Sequence, residues 1–376
     1  TEFEKIESEG STCFMDASII ASEFKQRYPS EFQTLAETPV VFSTDRRKNT
    51  KKPVYFRLEA PIITLDKAGK LTEFRWEQTN MHLPNISHEK IKSLDNYCTY
   101  IEKILKIGVQ RKSKLISIGG GTIGDFAGFL ASSLLRGIDH YMIPSSLLAM
   151  VDSSIGGKTG LNSKYGKNLV GSFYLPEKVI ICPELLNTLP NREISCGFAE
   201  IIKYSLIKPN NFKKRLLKYD FKINSDLVSI IKYSIKTKIN YVDDFKEKSS
   251  HRSSRAILNF GHSIGHAIEN SNLYKSNIKH GEAIALGMLI ELKISEYLGY
   301  YNKPIDQTMN LLKKFNLPTS YENYLSNDKI KKLIQKMKYD KKVSDNYINI
   351  ICIDSKGGFI KKLSFEKIEK ILTKII

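Results

Sequence analysis

The sequence predicts an α/β domain followed by an all-helical one, with a β-rich segment ahead of both that matches neither. Three observations carry this. Between about residues 95 and 182, short apolar runs alternate with amphipathic stretches, the pattern of a parallel sheet with helices packed on it. From Cys196 to about residue 345 strand signals nearly vanish and helical periodicity takes over. Residues 1–80 instead carry Pro39, Pro53 and Pro61, a basic run Arg46-Arg47-Lys48, and the pieces PVVFST, PVYFRL and PIITLD, more typical of an antiparallel sheet than of a β-α-β unit. The expected organisation is an atypical segment over 1–80, an α/β domain over 81–195 and a helical domain over 196–376. The first boundary falls near residues 77–87.

Taken in order, Leu94–Ile107 is amphipathic and Lys114–Ile118 (KLISI) is a short apolar strand that runs into a glycine turn. Phe126–Leu135 reads as a helix, Tyr141–Ile143 as the next apolar strand, and Val179–Cys182 as a strand ended by Pro183. Helices are then expected at 198–208, 225–243, 261–272, 281–298, 305–315 and 328–338, before one late strand at Tyr347–Ile353. No internal repeat is visible.

Composition bounds the function. A chain of 376 residues, 26% charged and 41% hydrophobic, is neither a disordered tail nor a small disulfide scaffold. Its 58 Lys+Arg against 40 Asp+Glu leave +18, which invites a polyanion as partner. No nucleic-acid module or aromatic–basic alternation accompanies that charge, and residues 329–376, with 13 Lys against 5 acidic residues, read as solvated surface. No nucleic acid is therefore expected as a partner. Five widely spaced cysteines (Cys13, Cys98, Cys182, Cys196, Cys352) form no CxxC, which fits a reducing, cytoplasmic location. The longest apolar runs, such as Ala283–Ile290, are far short of the roughly 20 residues of a membrane span, and no basic-then-apolar leader opens the chain, so neither membrane nor export is expected.

Four motifs could carry chemistry. Gly119-Gly120-Gly121-Thr122-Ile123-Gly124-Asp125 lies between a strand and a helix, where glycines permit close backbone approach and a helix start attracts a diphosphate. It satisfies GxGxxG, though a tight turn without a ligand would read the same. Asp139, the acidic residue about 20 positions on, follows Arg136-Gly137 in what reads as a turn and is discounted as a ribose ligand. The second motif, Pro144 to Asn162 followed by Gly166-Lys167-Asn168, packs small hydroxyl residues, glycines, Asp152 and two lysines into a plausible anion cradle. The third is NFGHSIGHAIE (Asn259–Glu269) with His280-Gly281-Glu282 after it. Three of the seven histidines fall within 19 residues there, and spacing alone nominates His262 and His266, one helical turn apart, as metal ligands. The fourth, Gly197 to Tyr204, sets Glu200 and Lys203 on one helix face, as a surface ion pair also would.

In this order and at these distances the four motifs resemble 3-dehydroquinate synthase and the wider sugar-phosphate cyclase family, from about His88 to Lys342. IGGGTIGDFAGF, IPSSLLAMVDSSIGGKTGLN, TLPNREISCGFAEIIKY, LNFGHSIGHAIE and HGEAIALGM carry the resemblance. It implies a Rossmann-like NAD-binding domain, a helical metal- and substrate-binding domain, a sugar phosphate as substrate and a homodimer. It implies NAD and a divalent metal, zinc or cobalt, as cofactors. The metal ligands carry over to Glu200, His262 and His280, which makes His266 an acid/base residue. NAD contacts carry over to Glu89, Lys92, Gly120, Gly121, Thr122, Asp125, Ser145, Ser146, Asp152, Lys158 and Lys167. Substrate contacts carry over to Arg136, Asp152, Asn168, Lys203, Arg255, Asn259 and Lys341 or its neighbour Lys342. The catalytic set is Lys158, Lys203, Lys236, Arg255, Asn259 and His266, with Lys236 separated from Arg255 by an apparent insertion at Lys248–Arg252.

The sequence departs from the family in two ways. Ser145, Ser146 and Met150 stand where Thr, Thr and Gln are usual. Residues 1–80 lack the expected segment carrying the adenosine-ribose ligands, and His88 replaces a glycine. GSTCFMDASIIASEFKQRYPSEFQTLAETPVVFSTD with PIITLDKAGKLTEFRW instead resembles an internal piece of the γ-butyrobetaine/taurine-type dioxygenases, without their iron ligands, since the first histidine is His82. The alternatives are a related cyclase such as 2-deoxy-scyllo-inosose synthase, which shares the GHxxGHAIE element, and a degenerate, non-catalytic homologue.

Overall fold

The computed structural model describes residues 12–14, 56–65, 71–81, 88–242, 252–269, 278–322, 326–340 and 346–375. The dioxygenase-like stretch from Gly10 to Asp45 lies outside the described residues apart from 12–14, as do Lys341, Lys342 and residues 243–251. The chain divides into two compact units, Thr1–Leu185 and Leu186–Ile376.

The first unit is built on a four-stranded parallel sheet. β1 (Thr12–Phe14) pairs with β8 (Lys178–Ile181), which pairs with β5 (Asp139–Pro144), which pairs with β4 (Lys114–Gly119). Two antiparallel hairpins accompany it: β2 (Phe56–Leu65) with β3 (Leu71–Met81), and β6 (Lys158–Ser163) with β7 (Gly166–Phe173). PVYFRL and PIITLD thus contribute to a single strand. Helix α1 (Leu94–Ile107) starts where the Ser93 side chain accepts the Asn96 N–H at 3.2 Å, and stops at Gly108 with φ 89°. Helix α2 (Gly121–Ser133) begins at the glycine turn, five residues before the sequence reading placed it. Between β4, α1, α2 and β6, Tyr100, Phe126, Leu130 and Leu161 form a buried cluster. The Lys114↔Asp139 and Gly119↔Pro144 register sets Asp139 at the end of the sheet remote from the glycine turn, roughly 17 Å away at the rise of a parallel strand, which accords with its dismissal as a ribose ligand.

The second unit is mostly helical: α3 (Asn191–Ile207), α4 (Phe212–Lys218), α5 (Ser225–Val242), α6 (His262–Glu269), α7 (His280–Tyr297), α8 (Asp306–Lys314), α9 (Asn327–Asp340) and α10 (Phe365–Lys374). It is not all-helical. β9 (Tyr347–Asp354) and β10 (Gly357–Ser364) form an antiparallel hairpin, because the run Ile350–Ile353 is buried as a strand and Gly357, at φ 111°, permits the reversal. Helices α4 and α10 were also unforeseen. Each is short and lysine-rich, and α4 buries only Phe212 and Leu216, too few positions to make a period legible. The core centres on α3 and α7, buried along most of their lengths, with Phe198 stacked on Phe315 at 4.1 Å.

Candidate functional site

In the first unit, chemistry gathers at the turn from β4 into α2. No side chain caps the start of α2 at Gly120, so its first amides remain open to an anion. A Cβ at Gly121 would sit 2.7 Å from Ser153 Oγ, and one at Gly120 would sit 3.4 Å from Ser146 Oγ. The turn and the 145–153 segment therefore form a cradle whose depth depends on missing side chains. Ser145 N–H donates to Gly119 O at 2.9 Å, and Ser146 Oγ accepts Ala149 N–H at 3.3 Å.

Beside the turn is a polar network. Lys92, only 3% exposed, donates to Asp125 Oδ2 at 2.7 Å and also contacts Asn168 Oδ1. Glu89 accepts from Thr122 Oγ1 at 3.0 Å and from Asn162 Nδ2 at 2.7 Å, and Asn162 Oδ1 accepts Asn168 N–H at 3.0 Å. Glu89, Lys92, Thr122, Asp125 and Asn168 are thus brought together. Asn162, at the end of the second motif, links Glu89 to Asn168. Asn168 holds a left-handed φ of 55°, and Arg136 one of 70° directly after Leu135 at 50°, a strained pair with the Arg136 side chain exposed. Asp152 lies in the π-helical turn Ala149–Ser153, while Lys158 and Lys167 project from β6 and β7, exposed.

In the second unit, α3, α6 and α7 deliver Glu200, His262 and His280 to one point. Glu200 is fully buried, with Oε1 3.5 Å from His262 Nε2 and 3.7 Å from His280 Nε2. One donor atom from each of the three lies within 4.8 Å of the others. Lys203 Nζ reaches Glu200 Oε2 from the next turn of α3. The His266 ring stands 5.2 Å from that of His262 and 5.8 Å from that of His280. His262 and His266 share no potential metal-holding group among the described residues: His262 falls with Glu200 and His280, and His266 with Glu269 and His280.

The outer edges of both imidazoles are held. His262 Nδ1 lies 3.1 Å from Phe260 O and His280 Nδ1 3.2 Å from Glu269 Oε2, so that Nδ1–H donates outward and each Nε2 faces Glu200. Glu269 was another residue without an assigned role; its place three positions after His266 on the motif helix was the available signal. Burial opposes charge on His280, but hydrogen bonds to Glu200 and Glu269 and their negative charge outweigh it and hold its pKa up at about 9. Burial, with the Lys203 ammonium nearby, pushes His262 well below the usual histidine range. A buried carboxylate oxygen and two imidazole nitrogens with backed outer edges match the donor set of a catalytic zinc-type ion with an open position. The residues fit such an ion.

Nearby, Arg255 (3% exposed) and Asn259 bound a 3-10 turn, Arg255–Asn259, that the Ser254 side chain caps by accepting Ala256 N–H at 3.2 Å. On α5, Lys236 is exposed whereas Lys238, unassigned from the sequence, is 5% exposed.

Two family models match in tandem, one for the 3-dehydroquinate synthase N-terminal region over residues 83–196 and one for the 3-dehydroquinate synthase C-terminal region over 197–343. The 3-dehydroquinate synthase of Methylacidiphilum infernorum is 40% identical over 293 residues, covering 77% of this chain and 79% of that enzyme. That of Thermoanaerobacter pseudethanolicus is 36% identical over 367 residues, covering 88% and 99% respectively. Among solved structures, 2-deoxy-scyllo-inosose synthase complexed with carbaglucose-6-phosphate, NAD+ and Co2+ aligns with a TM-score of 0.63 at 24% identity, over 76% of this chain and 80% of that one. The 2-epi-5-epi-valiolone synthase of Streptomyces hygroscopicus subsp. jinggangensis, with NAD+ and Zn2+ bound, aligns with a TM-score of 0.69 at 17% identity, over 100% and 99%. These two likenesses show a shared fold.

Proposed function

The chain belongs to the 3-dehydroquinate synthase family, and from that membership we infer that it converts 3-deoxy-D-arabino-heptulosonate 7-phosphate to 3-dehydroquinate and phosphate. The overall change is an oxidation, an elimination of phosphate, a reduction and an intramolecular aldol closure, a step of the shikimate pathway. In reaction class it is a carbon–oxygen lyase. Beyond the family match, the observation that carries the reading is the convergence of Glu200, His262 and His280 donor atoms within 4.8 Å.

When bound, NAD supplies a hydride acceptor that becomes a donor later in the same turnover, and a divalent ion, zinc or cobalt, supplies a Lewis acid. This chain's residues supply the rest. Phe260 O and Glu269 fix the His262 and His280 tautomers so that both Nε2 atoms face inward. The His266 imidazole takes and returns the proton exchanged with the substrate. Among Lys203, Arg255 and Asn259 of the second unit, and among Arg136, Asp152, Lys158, Lys167 and Asn168 of the first, cations predominate, as binding of phosphate and carboxylate groups requires. The lysine of α5 in this set is Lys236, exposed on a helix whose Lys238 is buried. Glu89, Lys92, Thr122 and Asp125, with Ser145, Ser146 and the amides of Gly120 and Gly121, form the dinucleotide side. In domain terms the NAD-binding part spans 81–195, the metal- and substrate-binding part 196–376, and residues 1–80 are an atypical addition. The working form is a cytoplasmic homodimer.

The test incubates purified protein, NAD+ and Zn2+ or Co2+ with 3-deoxy-D-arabino-heptulosonate 7-phosphate and, separately, with glucose 6-phosphate. Phosphate release from the first is expected. Release from the second alone assigns the inosose-type reaction, and release from neither, with no heat of NAD+ binding, assigns a non-catalytic homologue; either result overturns the reading.

A further inference from the structure

A second buried carboxylate lies on α7, outside every group so far given a role. Glu291 is 0% exposed, with Leu289, Ile290 and Leu292 beside it in sequence equally buried. A carboxylate in such surroundings is expensive unless hydrogen bonds compensate it, so it is not a filler for apolar space. Its Oε2 accepts the Gly261 N–H at 2.8 Å.

We propose that Glu291 is a positioning residue for the metal site, holding the turn that aims His262. The proposal rests on the metal reading above. Gly261 directly precedes His262 and adopts a left-handed φ of 79°. Its carbonyl accepts Gly265 N–H at 2.9 Å and so opens α6. The turn is pressed onto α7, where a Cβ on Gly261 would lie 2.6 Å from Met288 Cγ and 2.9 Å from Ile284 O. The His262 ring is in turn oriented by Phe260 O, on the other side of Gly261. The Gly261 N–H and the Phe260 C=O belong to one planar peptide, so an acceptor on that amide fixes the carbonyl that sets the His262 tautomer, one residue before His262. Because α7 also begins with His280, a single rigid helix registers two of the three donors against each other. Glu291 touches neither substrate nor cofactor; it acts through Gly261.

The experiment measures zinc affinity against a chelating indicator, and the visible absorption of the Co2+ form, for the full chain and for Glu291→Gln, Glu291→Leu and Glu291→Met. An amide oxygen can still accept from Gly261, so E291Q should stay within about threefold of the unmodified protein. The apolar variants should bind zinc about 10–100-fold more weakly, the usual effect of removing a partner behind a ligand, with altered Co2+ bands and unchanged NAD+ affinity. An apolar variant that folds and matches the unmodified protein in affinity and spectrum overturns the proposal, as does E291Q failing alongside the apolar variants. If neither apolar variant folds, the amide proton of Gly261 in the unmodified protein decides: a downfield resonance from bonding to a carboxylate supports the proposal and an ordinary position overturns it. Unmodified protein that takes up no metal overturns the metal reading and this inference together, whereas variants indistinguishable from a metal-binding parent overturn only this one.

Discussion

His140 on β5 is 1% exposed, its Nε2 lies 2.9 Å from Ser117 Oγ, and its Nδ1 has no hydrogen-bond partner among the described residues. Burial pushes its pKa down to about 4 from the ordinary 6.5. Between those values the unfolded chain binds a proton that the folded one does not, so stability falls as pH drops from about 6.5 to about 4, by about 3 kcal/mol in total. His140→Gln should flatten that limb of a stability–pH curve measured by urea unfolding. A limb as steep as that of the unmodified protein would sink the assignment. Individual residues were unevenly legible in the sequence. Glu200 and His280, far apart in the chain, were reached through resemblance to the family, because sequence spacing registers only neighbours within one helix and so favoured His266. Lys238 carries no signal in the sequence, because it and Lys236 both lie on α5 and only packing tells the buried face from the exposed one. Asn162 and Glu269 act by holding other side chains, a role that no residue type announces.

At the level of elements, α6 lies against α7 at glycines. A Cβ at Gly287 would fall onto the Gly261 carbonyl and lie 2.8 Å from Gly265 N, so the two backbones touch. Gly287→Ala sets two effects against each other. Better helix propensity favours the variant by about 1 kcal/mol, while the clash is with backbone that cannot move aside and costs about 3 kcal/mol. The clash wins, and the thermal midpoint should fall by several degrees; an unchanged or higher midpoint would contradict the packing. Elements with strong periodicity or apolar runs, such as α1, β4 and α7, were readable from the chain. The β6–β7 hairpin was not, because its Gly, Ser, Lys and Asn residues read as an anion-binding loop, and β10 begins with a glycine pair whose reversal only the paired strand reveals.

For the whole molecule, the +18 charge remains after the site is described, and a function is visible for only part of it. An excess of cations should draw an anionic sugar phosphate by long-range attraction. Raising the salt from low ionic strength to about 0.5 M should therefore lower kcat/KM roughly tenfold while kcat changes little, because screening acts on encounter rather than on the bound state. Salt-independent kcat/KM would show that the charge lies elsewhere on the surface. The convergence of Glu200, His262 and His280 from three helices has a final consequence for folding. Once the chain unfolds, the three donors are held apart only by flexible polymer and no longer define a common point. Occupancy therefore counts almost wholly toward the folded form by mass action: a free ion at a hundred times its dissociation constant adds about 2.7 kcal/mol to the stability of the fold. An ion held by the three would act as a reversible cross-link between helices, and its depletion would weaken the scaffold.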